Sequence, residues 1–254
     1  METSVVLTRL DYVKALELAV PDARLLSLPM VKRKPVVEDG SAAYVDAGST
    51  MSFVGGVPAV KQQDVLNSTL LAQLAANKKF DRETQTEQWY GFYRQVLENV
   101  GWVVQSFSFT RYDESGATLR LDKSALAIIA AVASGNELLA LQATLKALEN
   151  SDPDSKQVTL FDVNGSKGEN GNFQLSTAST DPNGNVQMAL GAFYFKATEH
   201  VGRFLFFSWK TKSINLYFGA QSVLLNEQIY ATVRQSVIDK LGDKAQQFVA
   251  DLDI

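Results

Sequence analysis

Residues 204–209 constrain the fold of this chain most, because Phe204, Leu205, Phe206, Phe207 and Trp209 put apolar side chains on both faces of any strand they form. A strand on a one-sided sheet alternates apolar with polar, so this segment predicts a central strand covered on both sides. Segments 157–163, 172–178, 186–198 and 214–225 are also rich in β-branched and aromatic residues, and with 203–210 they predict a run of strands. Turn chemistry separates them: Asn164-Gly165, Asn170-Gly171, Pro182-Asn183-Gly184 and Lys210-Thr211-Lys212-Ser213. Strands joined by short turns pair antiparallel, and two apolar faces require helices on each side.

The helices precede and follow that run. Val65, Leu66, Leu70, Leu71 and Leu74 recur at helical spacing behind Asp64, an N-cap residue type, and predict a helix over 64–79. From Asp81, the residues Trp89, Phe92, Tyr93, Val96, Leu97 and Val100 form a second stripe. The period changes at Gly101, where Val103, Gln105, Phe107 and Phe109 alternate as a strand does. Residues 113–116 read as a turn and 119–121 as a short return strand. Asp122 caps an Ala-rich helix carrying Leu126, Ile129 and Val132, and Asn136 opens another with Leu138, Leu141, Leu145 and Leu148 on one face. Beyond the strands, Asn226 caps a helix with Ile229, Tyr230, Val233, Val237 and Leu241, Gly242 stands at its C′ position, and Phe248, Val249 and Leu252 pack a short last turn. Segments 29–35 and 48–58 read as loops. The expected fold is α+β: a single three-layer α/β/α domain over 1–254, its mainly antiparallel sheet flanked by two helical hairpins and a C-terminal helix. Strict βαβα alternation is absent, which argues against a doubly wound parallel sheet.

Composition enters as a set of exclusions. The 254 residues contain no Cys, which removes disulfides, thiolate nucleophiles, Cys-ligated metals and S-acylation, and a single His, His200, which removes every site needing two histidines. Lys+Arg number 24 against 28 Asp+Glu, net charge −4, so nothing favours a nucleic-acid partner. His200 lies in a turn beside Glu199 with no identifiable nucleophile and reads as an exposed turn residue, and no G-x-S-x-G, Walker A or G-x-G-x-x-G motif occurs. Asp162-Val163-Asn164-Gly165-Ser166 and Asp181-Pro182-Asn183-Gly184-Asn185 alternate oxygen side chains but lack the glycine and glutamate of a calcium loop, so they read as Asx turns. The expectation is a non-enzymatic chain with no catalytic residues, metal or cofactor. Residues 125–133, the longest strongly apolar stretch, fall short of the ~20 needed to span a bilayer as a helix. The Met1 end lacks the basic and apolar regions of a signal peptide, so the expected protein is made soluble and is cytoplasmic or released by a non-classical route. The basic run Lys32-Arg33-Lys34 is a solvated loop that at most touches anionic lipid, and the stripe Trp89, Phe92, Tyr93 reads as core.

The order helix pair (64–109 with its strand), helix pair (122–149), then strands and final helix (157–241) resembles the Cyt-type cytolysins and, in similar shape, the Evf-type virulence factors and fungal volvatoxins. The resemblance implies a membrane-interacting toxin or virulence-type protein whose helical layers leave the sheet so that long strands meet lipid and form pores. It implies a homo-oligomer on membranes, whereas in solution a monomer or weak dimer is expected because no linker separates the helical from the β segments. Evf-type proteins carry a lipidated cysteine and this chain has none, so lipid binding here is expected to be non-covalent. By position, the lipid-contact candidates are Phe193, Phe195, Phe204, Phe206, Phe207, Trp209, Leu216 and Phe218, with 124–148 as the mobile layer. Two other readings stay open: a module binding an apolar ligand between sheet and helices, and an enzyme whose site is assembled from dispersed carboxylates.

Overall fold

A computed structural model describes residues 2–26 and 40–254, so the basic run at 32–34 and the loop at 29–35 lie outside the described residues. In chain order the elements are α1 (Glu2–Ala15), α2 (Ala23–Leu26), β1 (Ala42–Asp46), β2 (Ser49–Phe53), α3 (Ala59–Lys79), α4 (Thr86–Asn99), β3 (Trp102–Val103), β4 (Thr110–Arg111) and β5 (Thr118–Arg120). They continue with α5 (Leu121–Ile129), α6 (Gly135–Asn150), α7 (Lys156–Gly165), β6 (Ser166–Lys167), β7 (Asn170–Thr180), β8 (Val186–Ala197), β9 (Ser208–Lys210), β10 (Ile214–Leu225), α8 (Glu227–Leu241), α9 (Lys244–Phe248) and β11 (Val249–Leu252). Among the described residues, no helix is long and apolar enough to cross a membrane.

The main sheet runs β11-β1-β2-β7-β8-β10-β3, with β4 also on β10 and β6 also on β7. Every pairing is antiparallel except β2 with β7. One face carries α3 and α4, whose buried stripes include Leu66, Leu70, Leu74, Trp89, Tyr93 and Val96. The other carries α5, α6 and α7. Helix α8 packs on α1 and α3, so the first face is two helices deep. This mixed α+β architecture with a large, mostly antiparallel sheet is the one the sequence predicts.

The Asn226 side chain caps α8 as expected, accepting from Ile229 N, whereas α6 opens two residues before Asn136 on a reciprocal capping box of Ser134 and Glu137, and Asp122 lies inside α5, which starts at Leu121. Asp181 accepts from Asn183 N and Asn185 N in the β7–β8 turn, where Gly184 adopts φ 82°.

Several expectations are corrected. Residues 157–163 form helix α7, because Val158 and Phe161 fall on one helical face and Phe161 stacks on Phe204 at 5.4 Å. Of 203–210, only β9 is extended, and it pairs with β5 in a separate two-stranded sheet. Its aromatics are buried by a turn folded over the main sheet and not by a central position. Of the strand expected from 103 through 110, only its two ends pair with β10, Val103 in β3 and Thr110 in β4. Segment 48–58 contains strand β2, and 249–252 is strand β11 on β1. Helix α3 starts at Ala59, which places Asp64 inside it, and α4 starts at Thr86, after a turn held by Asp81.

Candidate functional site

Pairing register decides which of the eight lipid-contact candidates share a face. Phe195 sits opposite Leu216 and Phe193 opposite Phe218 on β8 and β10, while Phe173 of β7 sits opposite Phe193. All five side chains therefore leave the same side of the sheet. Phe204 and Trp209 reach this cluster from the turn beyond β8, with ring centroids 5.3 and 5.8 Å from Phe195. The Trp209 indole donates to the Phe204 carbonyl at 3.1 Å. Phe193, Phe195, Phe204, Trp209 and Leu216 are buried, Phe206 and Phe218 half-buried, and Phe207 is 39% exposed. Six candidates thus form one aromatic face, and Phe206 and Phe207 sit at its margin.

Helices α5, α6 and α7 cover that face. Close packing of α5 is read at Gly191, where a Cβ would stand 2.7 Å from Ile129 Cδ1. Helix α6 buries Ala140, Leu141, Leu145 and Leu148 and adds polar contacts to β2 and β7: the Ser52 and Thr144 hydroxyls lie 2.8 Å apart, and Ser179 donates to Glu137 at 2.8 Å. The buried hydroxyls of Thr50 and Thr177, on the same side of the sheet, have no hydrogen-bond partner among the described residues. A buried hydroxyl without a partner costs ~1–3 kcal/mol, so this contact holds α6 less firmly than an apolar one of equal area. Arg203 anchors the far end of α6 by donating to the carbonyls of Leu148 (3.2 Å) and Glu149 (2.5 Å), although its backbone sits at φ 54°.

The opposite face is held by a denser polar network. Arg82, wholly buried, donates to the Asn172 carbonyl at 2.9 Å and to Gln174 Oε1 at 3.1 Å, and lies 4.5 Å from the Trp89 ring. Tyr90 donates to Asn172 Oδ1 at 2.7 Å, and Thr69 donates to Asp46 Oδ2 at 2.7 Å. Burial pushes the Arg82 guanidinium down from its ordinary pKa and the Tyr90 phenol up.

At one end of this second face, α4, the connection from β3 to β4, and strands β8 and β10 enclose a cleft of about 400 Å³. Tyr194 and Tyr217 stack at 4.6 Å with 6° between their planes, and Phe109 meets Tyr194 edge-on at 5.1 Å. The register sets Arg111 opposite Tyr217 and Tyr217 opposite Tyr194, so the three side chains form a row across β4, β10 and β8. The helical wall supplies Glu87 and Arg94. Arg94 donates to Ser106 Oγ at 2.7 Å and lies 3.8 Å from Glu98, while the side chains of Glu87 and Arg111 have no hydrogen bond or ion pair among the described residues. Burial raises the Tyr194 phenol pKa, and the Tyr217 phenol and the Glu87 carboxylate add to the rise.

Sequence reasoning missed this cleft because its tyrosines read as members of an apolar strand. The readable signal was Tyr194 and Tyr217, each alternating with Phe and Leu neighbours that occupy the opposite face. Trp89 and Tyr93 are core, as expected. His200 Nδ1 lies 2.8 Å from the Gly168 carbonyl in an exposed turn. Among the described residues, no group of three or more His, Cys, Asp or Glu side chains is placed to hold a metal ion.

No protein-family model matches the chain, and no curated protein matches it. Among solved structures it is similar to a delta-endotoxin at 14% identity and a TM-score of 0.44, over 78% of this chain and 90% of that one. It is also similar to the Evf virulence factor at 13% identity and a TM-score of 0.36, over 95% of this chain and 88% of that one. Both are weak structural resemblances at low identity.

Proposed function

We propose that this protein acts on membranes as a toxin or virulence-type protein, binding lipid non-covalently and inserting its long strands to form a pore. One observation carries the reading. Strands β7, β8 and β10 are consecutive antiparallel neighbours of 11, 12 and 12 residues, and their shared aromatic face is covered by helices of which α6 is held in part through hydroxyls. A tilted strand of ~9–11 residues crosses the hydrocarbon core of a bilayer. Lipid contact then follows from the departure of α5 and α6 together with α7 and the turn carrying Phe204 and Trp209, which also pack on Phe173 and Phe195, and it transfers the rings of Phe173, Phe193, Phe195 and Phe218 to lipid.

The test uses the chain's lack of thiols. Ser52 and Thr144 have side-chain oxygens 2.8 Å apart, so the double variant S52C/T144C places two sulfurs at bridging distance between β2 and α6. Oxidised, this variant should release no dye from loaded phospholipid vesicles, and reduction should restore the wild-type release rate. Equal leakage in both redox states overturns the opening of α6. Absence of leakage from the wild-type protein on every lipid composition overturns membrane action and moves the assignment to a module binding an apolar ligand.

A further inference from the structure

We propose that the pore selects anions and that Lys196 is the residue that sets this selection. The inference deepens the pore reading and rests on it.

Charge is scarce in the strands that the reading places in the bilayer. Asp, Glu, Lys and Arg make up 20% of the chain, yet β7, β8 and β10 carry one such residue between them, Lys196. From Val186 through Phe195, β8 is free of charge, a run that matches the ~9–11 residues a tilted strand needs to cross hydrocarbon. Lys196 therefore stands at the mouth of the pore, where its ammonium reaches water.

Register fixes the side on which it stands. Successive side chains leave opposite faces of a strand, so Lys196 points away from Phe195 and shares a face with Tyr194. Asn170 and Asn215 pair with Lys196, and Asn172 and Tyr217 pair with Tyr194, so a polar band crosses all three strands on this face. Gln174 continues it along β7. The side chains of Asn172 and Gln174 are buried in the present fold, where Arg82 and Tyr90 supply their hydrogen bonds. Hydrocarbon offers an amide no such partner, whereas a water-filled lumen does. The aromatic face thus meets lipid and the polar face lines the lumen, once α3 and α4 have withdrawn from it. Toward the β7–β8 turn the contrast fades, with Ala178, Met188 and Val223 on the lumen face and Thr177 and Ser179 on the other. That stretch carries no formal charge, so selection falls to Lys196. Glu169 and Glu199 lie beyond the ends of β7 and β8. In a pore of several copies each chain adds one ammonium at the same depth, and such a ring concentrates anions and repels cations.

Wild type and the variants K196Q and K196E are added to planar bilayers of phosphatidylcholine, whose zero net charge leaves the ion concentrations at the mouth to the protein. Reversal potentials under a KCl gradient give the chloride-to-potassium permeability ratio. Lys196 is exposed, and equal thermal midpoints show that the substitutions leave the fold intact. The expected ratio lies above unity for wild type, near unity for K196Q and below unity for K196E. A second arm uses the absence of native cysteine: K196C pores should also lie near unity and regain anion preference when a cationic, water-soluble thiol reagent is added during recording. A wild-type ratio at or below unity, or the same ratio in wild type and K196E, overturns the role of Lys196 and leaves the pore standing. Failure of the reagent to change K196C pores places residue 196 outside the lumen and overturns the face assignment. Absence of any conductance from wild type overturns the pore itself, and this selection with it.

Discussion

The tightest constraints act on single residues that the sequence shows as unremarkable. Gly48 follows Ala47 in the turn between β1 and β2, and a Cβ there would lie 2.6 Å from the Asn164 carbonyl oxygen and 2.7 Å from Arg82 Nη1. Neither neighbour has room to yield, one being backbone and the other a buried, hydrogen-bonded guanidinium. Gly48→Ala should therefore destabilise by ~1–3 kcal/mol in urea unfolding. Gly135→Ala, at the first turn of α6 with nothing within 4 Å of a new Cβ, should be neutral or slightly stabilising. Equal effects from the two changes would contradict the packing. Arg82 shows why such residues escape a sequence reading: Asp81-Arg82-Glu83 looks like a solvated charge run before a helix. Its burial depends on carbonyl and amide groups of β7 ninety positions away. His200, by contrast, was legible, since an isolated histidine without a nucleophile in a turn has few other readings.

At the scale of elements, legibility followed the strength of the periodic signal. Helices α3, α4 and α6 and strands β7, β8 and β10 were visible because their apolar stripes or turn residues agree with their tertiary partners. Strand β2 was not, because Ser49, Thr50 and Ser52 are buried hydroxyls that read as loop chemistry. The cleft depended on knowing that β4 pairs with β10, a register that two residues of strand cannot announce. The turn over the aromatic face yields two predictions. Trp209→Ala should cost ~3–5 kcal/mol, since the indole is buried against Phe195 and hydrogen-bonded to Phe204, whereas Phe207→Ala should cost much less because that ring is exposed. Arg203→Ala keeps the strained backbone angle but removes the donors to the last carbonyls of α6. We expect a loss of ~1–2 kcal/mol and faster vesicle leakage, because the same bonds hold α6 over the sheet. Slower leakage from this variant would argue that α6 does not move.

For the whole molecule, the buried apolar residues of both helical layers and the sheet belong to one continuous core, so heating should give coincident far-UV and near-UV transitions. The charge state of that core bears on how it responds to acid. Asp162, near the end of α7, is half-buried and accepts from Arg203 N at 2.8 Å. Desolvation raises its pKa above the ordinary carboxylate value, and the hydrogen bond and the charges of Arg203 and His200 only partly offset this. The folded protein therefore takes up this proton at a higher pH than the unfolded chain does. As pH falls through the raised folded value, Asp162 adds stability, and the gain is complete below the unfolded value of ~3.9; as pH rises again the gain is lost. Asp162→Asn keeps an acceptor for Arg203 N and removes the titration. The stability of wild type relative to this variant should therefore increase between neutral pH and pH ~4 and then level off. Urea unfolding of both proteins at several pH values measures that difference. A difference that instead shrinks on acidification would mean that the Arg203 contact outweighs burial, and that the turn covering the aromatic face is held by charge and released by acid.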